Sequence, residues 1–345
     1  RPQVWQIVNL PCLLQLSSQF PKNNEMQHRI FWPFVFAAMT LGGCWAAINY
    51  RPPWDSEPAK NAPIVSTAAT AGNGNESIRY DQATWLCTHN AFNASEEGFR
   101  FSNQTHSIAR QLNDGVSALM LDVWDDDGKI VLRHGKMFGN ALGTQPLEQQ
   151  LAIIVTFLES NPQAIVTLIF ESYVPASAVA TAFEKTGLVR FCHTQQPNED
   201  WPTLEAMRSS NQRLVVFSDN ADDGPEWYMP VWDHCFETNW QASSLEQLLE
   251  NRPGRGNPKN ALFIANHFLG KPLKLKQAAR TVNATAVLRK RFGTSKAPGD
   301  LKEMPGDLKE MPGDLKGLPQ QPNFIVVDFY ELGDFREWLV PGPFR

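Results

Sequence analysis

Two histidines and a set of acidic and amide side chains stand in this sequence where short apolar runs stop. His89-Asn90 follows TWLCT, Asp122 closes ALML, His134 follows KIVLR and Glu171 follows IVTLIF. Asp219 ends RLVVFS, Glu237 follows HCF, Asn266-His267 follow ALFIA and Asp328 closes NFIVV. One such residue is ordinary, because every strand must surface somewhere. The whole series is a pattern that invites a chemical reading. Two histidines, one neutral as base and one protonated as acid, can move a proton onto and off a reacting group. Neighbouring carboxylates can fix an imidazole tautomer, favour the imidazolium or bind a metal. Asn90, Asp122 and Glu171 offer oxygen only, a donor set for a hard cation such as calcium or magnesium rather than zinc. No G-x-S-x-G elbow supports serine hydrolysis, and no G-x-x-x-x-G-K-[ST] loop cradles a nucleotide phosphate. Acid–base cleavage of a phosphodiester with help from a cation fits this set best.

Those residues need elements that bring them to one place. The apolar runs predict strands at Thr84–Thr88, Ala118–Val123, Lys129–Arg133, Ile165–Phe170, Arg213–Ser218, His234–Glu237, Ala261–Ala265 and Asn323–Phe329. Continuous runs such as IVTLIF are what parallel strands buried on both faces look like. Helical stretches are expected at 103–112, 146–160, 176–186, 202–209, 243–250 and 275–291. Pro146, Pro175 and Pro202 fall near helix starts, where a missing N–H costs nothing. The alternation predicts an α/β fold, an irregular (β/α)8 TIM-type barrel. The irregularity is a bare Asp-Asp-Asp-Gly turn between the second and third strands. In such barrels the active site lies at the C-terminal strand ends, where the polar series falls.

The strings carrying these residues resemble a known family. Thr88-His89-Asn90-Ala91-Phe92, Gln111-Leu112-Asn113-Asp114-Gly115-Val116, Leu121-Asp122-Val123-Trp124-Asp125 and Val131-Leu132-Arg133-His134-Gly135 look like the X region of phosphatidylinositol-specific phospholipases C. More closely, the chain is similar to secreted or anchored PLC-like phosphodiesterases with a lone X-type barrel. The resemblance runs from Asp81 to Asp328, with His-Asn, Leu-Asp and His-Gly 33 and then 12 residues apart. It implies that His89 assists attack on phosphorus or stabilises the phosphorane, and that His134 protonates the leaving alcohol. It also implies calcium ligation by Asn90, Asp122 and Glu171, and a carboxylate, Asp328, that orients the first histidine. Two positions depart from the family. An acidic calcium ligand expected two residues before Asp122 is Met120, and the arginine that replaces calcium in bacterial enzymes is Trp124. A glycerophosphodiesterase or sphingomyelinase D-like enzyme is the nearest alternative, but those relatives place Glu and Asp two apart. A degenerate barrel that binds lipid headgroups is the other, favoured by Met120 and Trp124 and opposed by the two retained histidines.

Asp219, Glu237, Asn266 and His267 are expected around the substrate pocket. Arg133, alternating with His134, should face away and pair with an acid. His106 is expected on a solvated helix face, and His193 and His234 carry no metal assignment. Cys87, Cys192 and Cys235 allow one disulfide in an exported protein. Four N-x-[ST] sequons, at Asn75, Asn93, Asn103 and Asn283, matter only on a eukaryotic secretory route.

Across all 345 residues, 31 basic and 36 acidic side chains leave a formal charge of −5, so no basic excess exists to neutralise nucleic acid. Hydrophobic residues at 42% exclude wholesale disorder. Eleven Trp and 21 Phe leave room for a membrane-facing surface. Ile30–Ile48 is an uncharged block of 19 residues, marginal for a membrane span of about 20. It reads as an export signal starting at Met26, with Leu41-Gly42-Gly43-Cys44 resembling a lipobox, as a retained anchor, or as a buried helix. The last lacks the expected polar periodicity. Residues 1–49 are thus a signal or anchor, 50–76 a flexible linker and 77–345 the barrel. Within the barrel domain, 298–318 carries PGDLKEM repeats whose prolines forbid a continuous helix, so an exposed loop is expected. A monomer acting on a phospholipid or glycerophosphodiester at a membrane surface is the expected working form.

Overall fold

The computed structural model describes residues 78–135, 142–270, 275–293 and 321–339. The expected leader, Cys44, the linker and the PGDLKEM repeats lie outside them.

In chain order the elements are β1 (Trp85–Thr88), α1 (Ile108–Asn113), β2 (Ala118–Asp126), β3 (Lys129–Leu132), β4 (Gln145–Pro146) and α2 (Leu147–Ser160). Then follow β5 (Val166–Ser172), α3 (Ala176–Thr186), α4 (Leu204–Ser209), β6 (Leu214–Ser218), β7 (Tyr228–Pro230), α5 (Val231–His234) and β8 (Cys235–Thr238). The series ends with α6 (Leu245–Leu249), β9 (Pro253–Gly256), β10 (Leu262–Asn266), α7 (Leu275–Val282), α8 (Thr285–Phe292), β11 (Phe324–Val327) and α9 (Arg336–Leu339). Parallel ladders join β7, β6, β5, β2, β1, β11, β10 and β8 in that order. This is a mixed α/β fold whose sheet curls as an irregular barrel. Among the described residues no ladder joins β7 to β8, so the barrel is open at that seam.

All eight strand expectations coincide with strands, but one has a different role. The segment at Lys129–Arg133 is not a stave. It folds back antiparallel on β2 through the Asp-Asp-Asp-Gly turn, with Val123 opposite Leu132 and Asp126 opposite Lys129. The remaining stave is β7, whose three residues are too short to show as an apolar run. Two helices also differ. The first begins at Ile108, not 103, because Ser107 caps it by accepting from the Arg110 N–H. The expected helix at 275–291 is two helices, broken at Asn283 and the extended Ala284.

Strand alternation divides the core. Trp85, Cys87, Ala118, Phe217, Ile264, Phe324 and Val326 pack together on the inner face, and Tyr80 and Trp201 stack 4.7 Å apart among them. Leu86, Leu119, Leu121, Leu168, Ile325 and Val327 face outward onto helix residues such as Leu151, Ile154, Leu158 and Phe183. Period-two alternation therefore decides which polar residue at each strand end inherits the inner face.

Candidate active site

Continuing each inner-face row by two residues gives the site. Cys87 leads to His89, Met120 to Asp122, Ile169 to Glu171, Phe217 to Asp219, Cys235 to Glu237, Ile264 to Asn266 and Val326 to Asp328. All seven line one cavity of about 1660 Å³, as does His134. Asn90 joins them from a left-handed backbone conformation just after β1, at φ 46°. The β2–β5 register places Asp122 directly opposite Glu171.

His267 is the exception. It follows Ala265, which faces outward, so alternation turns it away from the cavity. Its ring is fully buried, with Nε2 2.7 Å from the Val282 carbonyl and Nδ1 2.7 Å from Arg291 Nη1. Both ring nitrogens are engaged in holding α7 and α8 to the barrel, and burial together with the Arg291 charge pushes its pKa well below 6.5. The expected pocket role is therefore corrected to a structural one.

The two histidines are held differently. His89 Nδ1 lies 2.9 Å from Asp328 Oδ1, and its ring stacks on Phe268 at 3.9 Å and 8°. An acceptor-only carboxylate at that distance puts the His89 proton on Nδ1 and leaves Nε2 with a lone pair, which accepts from Asn90 Nδ2 at 3.2 Å. His134 follows β3 and is exposed at the cavity wall, with Nδ1 3.1 Å from Asn93 Nδ2. The surrounding walls and the nearby His89 ring lower its pKa below 6.5.

The carboxylates also divide. Glu237 is committed, accepting from Arg255 Nε at 2.7 Å and from Asn266 Nδ2 at 3.0 Å. Asn266 thus lines the cavity while serving Glu237. Asp219 Oδ1 accepts the Ser172 N–H at 2.9 Å, and burial raises its pKa. Glu171 accepts from the Tyr173 hydroxyl, whose ring stacks on Trp124 at 3.7 Å. Asp122 is 7% exposed, and no described residue donates a hydrogen bond to its carboxylate. Burial, with Glu171 and Asp219 nearby, pushes its pKa well above 3.8. A buried acid without a donor suits a cation, with Asn90 and Glu171 as the other oxygen donors. Among the described residues, however, no group of three His, Cys, Asp or Glu side chains is gathered as a metal site.

Loop residues that the sequence reading left out of the site hold it together. Asn103, 2% exposed, donates to Asp328 Oδ1 at 3.0 Å, while its own Oδ1 accepts from Asn93 at 2.7 Å and from Asn90 at 3.2 Å. Gln104 donates to the carbonyls of His89 and Val327. Gln111 donates to Ala91 O and accepts from Thr88 Oγ1, which ties the His-Asn turn to α1. The sequons at Asn93, Asn103 and Asn283 begin on buried side chains, so the folded protein cannot present them to a glycosyl transferase. Their polarity serves internal hydrogen bonds. Arg133 faces away from the cavity and lies 3.7 Å from Asp126 and over the Trp124 ring. Cys87, Cys192 and Cys235 are buried free thiols, so no disulfide forms among them.

The largely parallel, curled barrel thus presents two histidines to one cavity. The PI-PLC X family model (PI-PLC X 1) matches residues 77–290. The chain belongs to the PI-PLC X family. A PI-PLC X domain-containing protein of Arabidopsis thaliana is 30% identical over 278 residues, covering 74% of this chain and 60% of its own length. A protein of Arthroderma benhamiae named as an uncharacterized secreted protein is 25% identical over 269 residues, covering 74% of this chain and 58% of its own length. The chain thus spans about three fifths of the length of these curated relatives. In fold it is similar to the phosphatidylinositol-specific phospholipase C of Listeria monocytogenes, with TM-score 0.52, 12% identity, and 80% and 97% of the two chains covered. A mutant of the Staphylococcus aureus enzyme gives 0.53, 10%, and 82% and 98%. Among the described residues no helix is long and apolar enough to cross a membrane.

Proposed function

We propose that this protein is a phosphoric diester hydrolase of the phospholipase C type, acting on a phospholipid or glycerophospho headgroup. What carries the reading is the pairing of His89 with Asp328 across a cavity that also presents His134. His89, with Nδ1–H held by Asp328, offers the Nε2 lone pair to the attacking hydroxyl. His134 supplies the hydrogen to the leaving oxygen. Asp122, with Asn90 and Glu171, would hold a calcium ion, which when bound would offset phosphate charge. Asp219, Glu237 and Asn266 would line the headgroup side. The protein is proposed to be exported and to work as a monomer at a membrane surface, in keeping with relatives described as secreted or lipid-cleaving.

The test is turnover of phosphatidylinositol, glycerophosphoinositol and phosphatidylcholine by the full chain, with calcium and with chelator. A cyclic inositol phosphate product supports the phospholipase C route, whereas a free phosphate monoester from a glycerophosphodiester favours the glycerophosphodiesterase alternative. His134→Ala should slow cleavage of a poor leaving group by about 100- to 10,000-fold, the usual cost of a lost general acid. An unchanged rate would remove that role. A second reading, headgroup binding without turnover, rests on Met120 and Trp124, which stand where relatives place charge. It predicts tight headgroup binding and no diester cleavage under any of these conditions.

A further inference from the structure

Between the two histidines runs a chain of three amides whose direction can be read from one end. Asp328 only accepts hydrogen bonds, and Asn103 lies 3.0 Å from its Oδ1, so Asn103 must turn its Nδ2 there. The Asn103 oxygen then faces Asn93 at 2.7 Å and Asn90 at 3.2 Å, and both must present N–H. Asn93 Nδ2 has a second hydrogen, and His134 Nδ1 lies 3.1 Å away. Reversing Asn93 would set two amide oxygens against each other at 2.7 Å. Its buried Oδ1 has no hydrogen-bond partner among the described residues, so reversal would gain no bond there.

We propose that Asn103 and Asn93 are positioning residues that relay the polarity of Asp328 to His134 and hold it as the Nε2–H tautomer with its Nδ1 lone pair occupied. One carboxylate thereby sets opposite tautomers on the two histidines. His89 keeps its proton on Nδ1 and is an acceptor at Nε2, where Asn90 Nδ2 lies 3.2 Å away and gives way to the reacting hydroxyl, and His134 faces the reaction as a donor. Among the described residues nothing accepts from His134 Nε2, and the ring lines the cavity. A protonated Nδ1 would point its hydrogen at the Asn93 N–H, so the relay favours the neutral ring in the resting site; to protonate the leaving oxygen, His134 first takes up a proton at Nδ1, which displaces the Asn93 N–H from it. The other titratable groups acting on His134 bear on its charge, not on which nitrogen is bonded to Asn93: His89 opposes the imidazolium, while Asp328 and Glu171 favour it. The inference deepens the proposed function and rests on His134 being the group that faces the leaving oxygen.

Long-range proton–nitrogen spectra of the nitrogen-labelled full chain at pH 8 read the tautomers without any substrate. His134→Gln assigns the signals among the seven histidines. The expected result is a single Nε2–H tautomer at His134. Asn103→Leu, which frees Asn93, should give a mixture of tautomers. Asn93→Asp, made together with Asn103→Leu so that no oxygen opposes it, should invert the ring to Nδ1–H, because a carboxylate accepts where the amide donated, and should hold the imidazolium to higher pH. Loosened packing would give a mixture in both variants, not a single inverted tautomer in one of them, and unchanged His267 signals report an intact fold. An Nδ1–H tautomer or a mixture in the wild-type protein overturns the relay whatever the variants do, and so does the same tautomer in folded wild type and both folded variants. The outcomes separate from those of turnover. The expected tautomers in a protein that cleaves no diester would sink the enzymatic reading and leave the relay, and turnover without them would do the reverse.

Discussion

At the scale of single residues, Asp122 carries the sharpest energetic statement in the site. It is a buried acid with no hydrogen-bond donor among the described residues, facing Glu171 across the β2–β5 ladder. Its folded pKa lies well above its unfolded value, so the folded state binds the extra proton. Stability is then full below pH ~4 and is lost as pH rises through the folded pKa. Asp122→Asn should therefore raise stability at pH 7, because the amide escapes the cost of ionising a buried acid beside Glu171, about 1.36 kcal/mol for each unit between the folded and unfolded pKa values. The gain should vanish below about pH 4, near the unfolded Asp pKa. Diester turnover should fall in the same variant. If the site holds calcium, adding the ion should raise the melting temperature of the wild type and not of Asp122→Asn, because only the wild type gains a bound ligand. Thermal unfolding across pH, with and without calcium, checks both outcomes.

At the scale of elements, the β10 end shows how alternation assigns roles to adjacent polar residues. Asn266 and His267 are consecutive, yet one lines the cavity and the other is buried behind it. His267→Leu removes an acceptor from Arg291, a buried cation whose pKa is pushed down to about 9 by burial. Its remaining bonds are to Asn251 and to the Asn266 carbonyl. The variant should lose about 3 kcal/mol of stability, as expected when a buried charge loses a partner. Denaturant unfolding checks this, and a loss below about 0.5 kcal/mol would contradict the role given to this ring. The break between α7 and α8 belongs to the same scale. Asn283 leaves the helix to donate to the carbonyl of Asp328 at 2.9 Å, supporting the strand end that orients His89.

At the scale of the molecule, three histidines are buried away from the cavity. His193, His234 and His267 all have pKa values lowered by burial. For each, the unfolded chain takes up a proton near pH 6.5 that the folded chain resists. Their contribution is whole above that pH and is lost as the pH falls. For His267 the loss should run at about 1.36 kcal/mol for each pH step below the unfolded pKa until its lowered folded pKa is reached. Melting temperatures measured from pH 7.5 to 5 should fall, and a flat profile would contradict burial of these neutral rings. A net charge of −5 also opposes attraction to anionic lipid. Action at a membrane, as proposed, would therefore need an attachment that does not depend on charge, the part expected of the apolar block at Ile30–Ile48.

Much of the barrel was legible in the order of residues because burial on both faces writes itself as continuous apolar runs. IVTLIF and NFIVV could be little else, and each run hands its polar successor to a strand end. The motifs around His89, Asp122 and His134 were legible for the same reason, since strand and turn are local. Strand pairing was not. Lys129–Arg133 had the composition of a stave, but a four-residue turn left it only the outside of β2, and Tyr228–Pro230 took the vacant place. The polar loop at Asn103 read as the start of a helix and a set of sequons, because nothing local reveals an amide's distant partner. Asp328 lies 225 residues from Asn103. Sequence by itself determined which residue types stand at the strand ends and which face each takes by alternation. Only the closing of β11 onto β1 brought Asp328 to His89 and let one carboxylate orient both histidines.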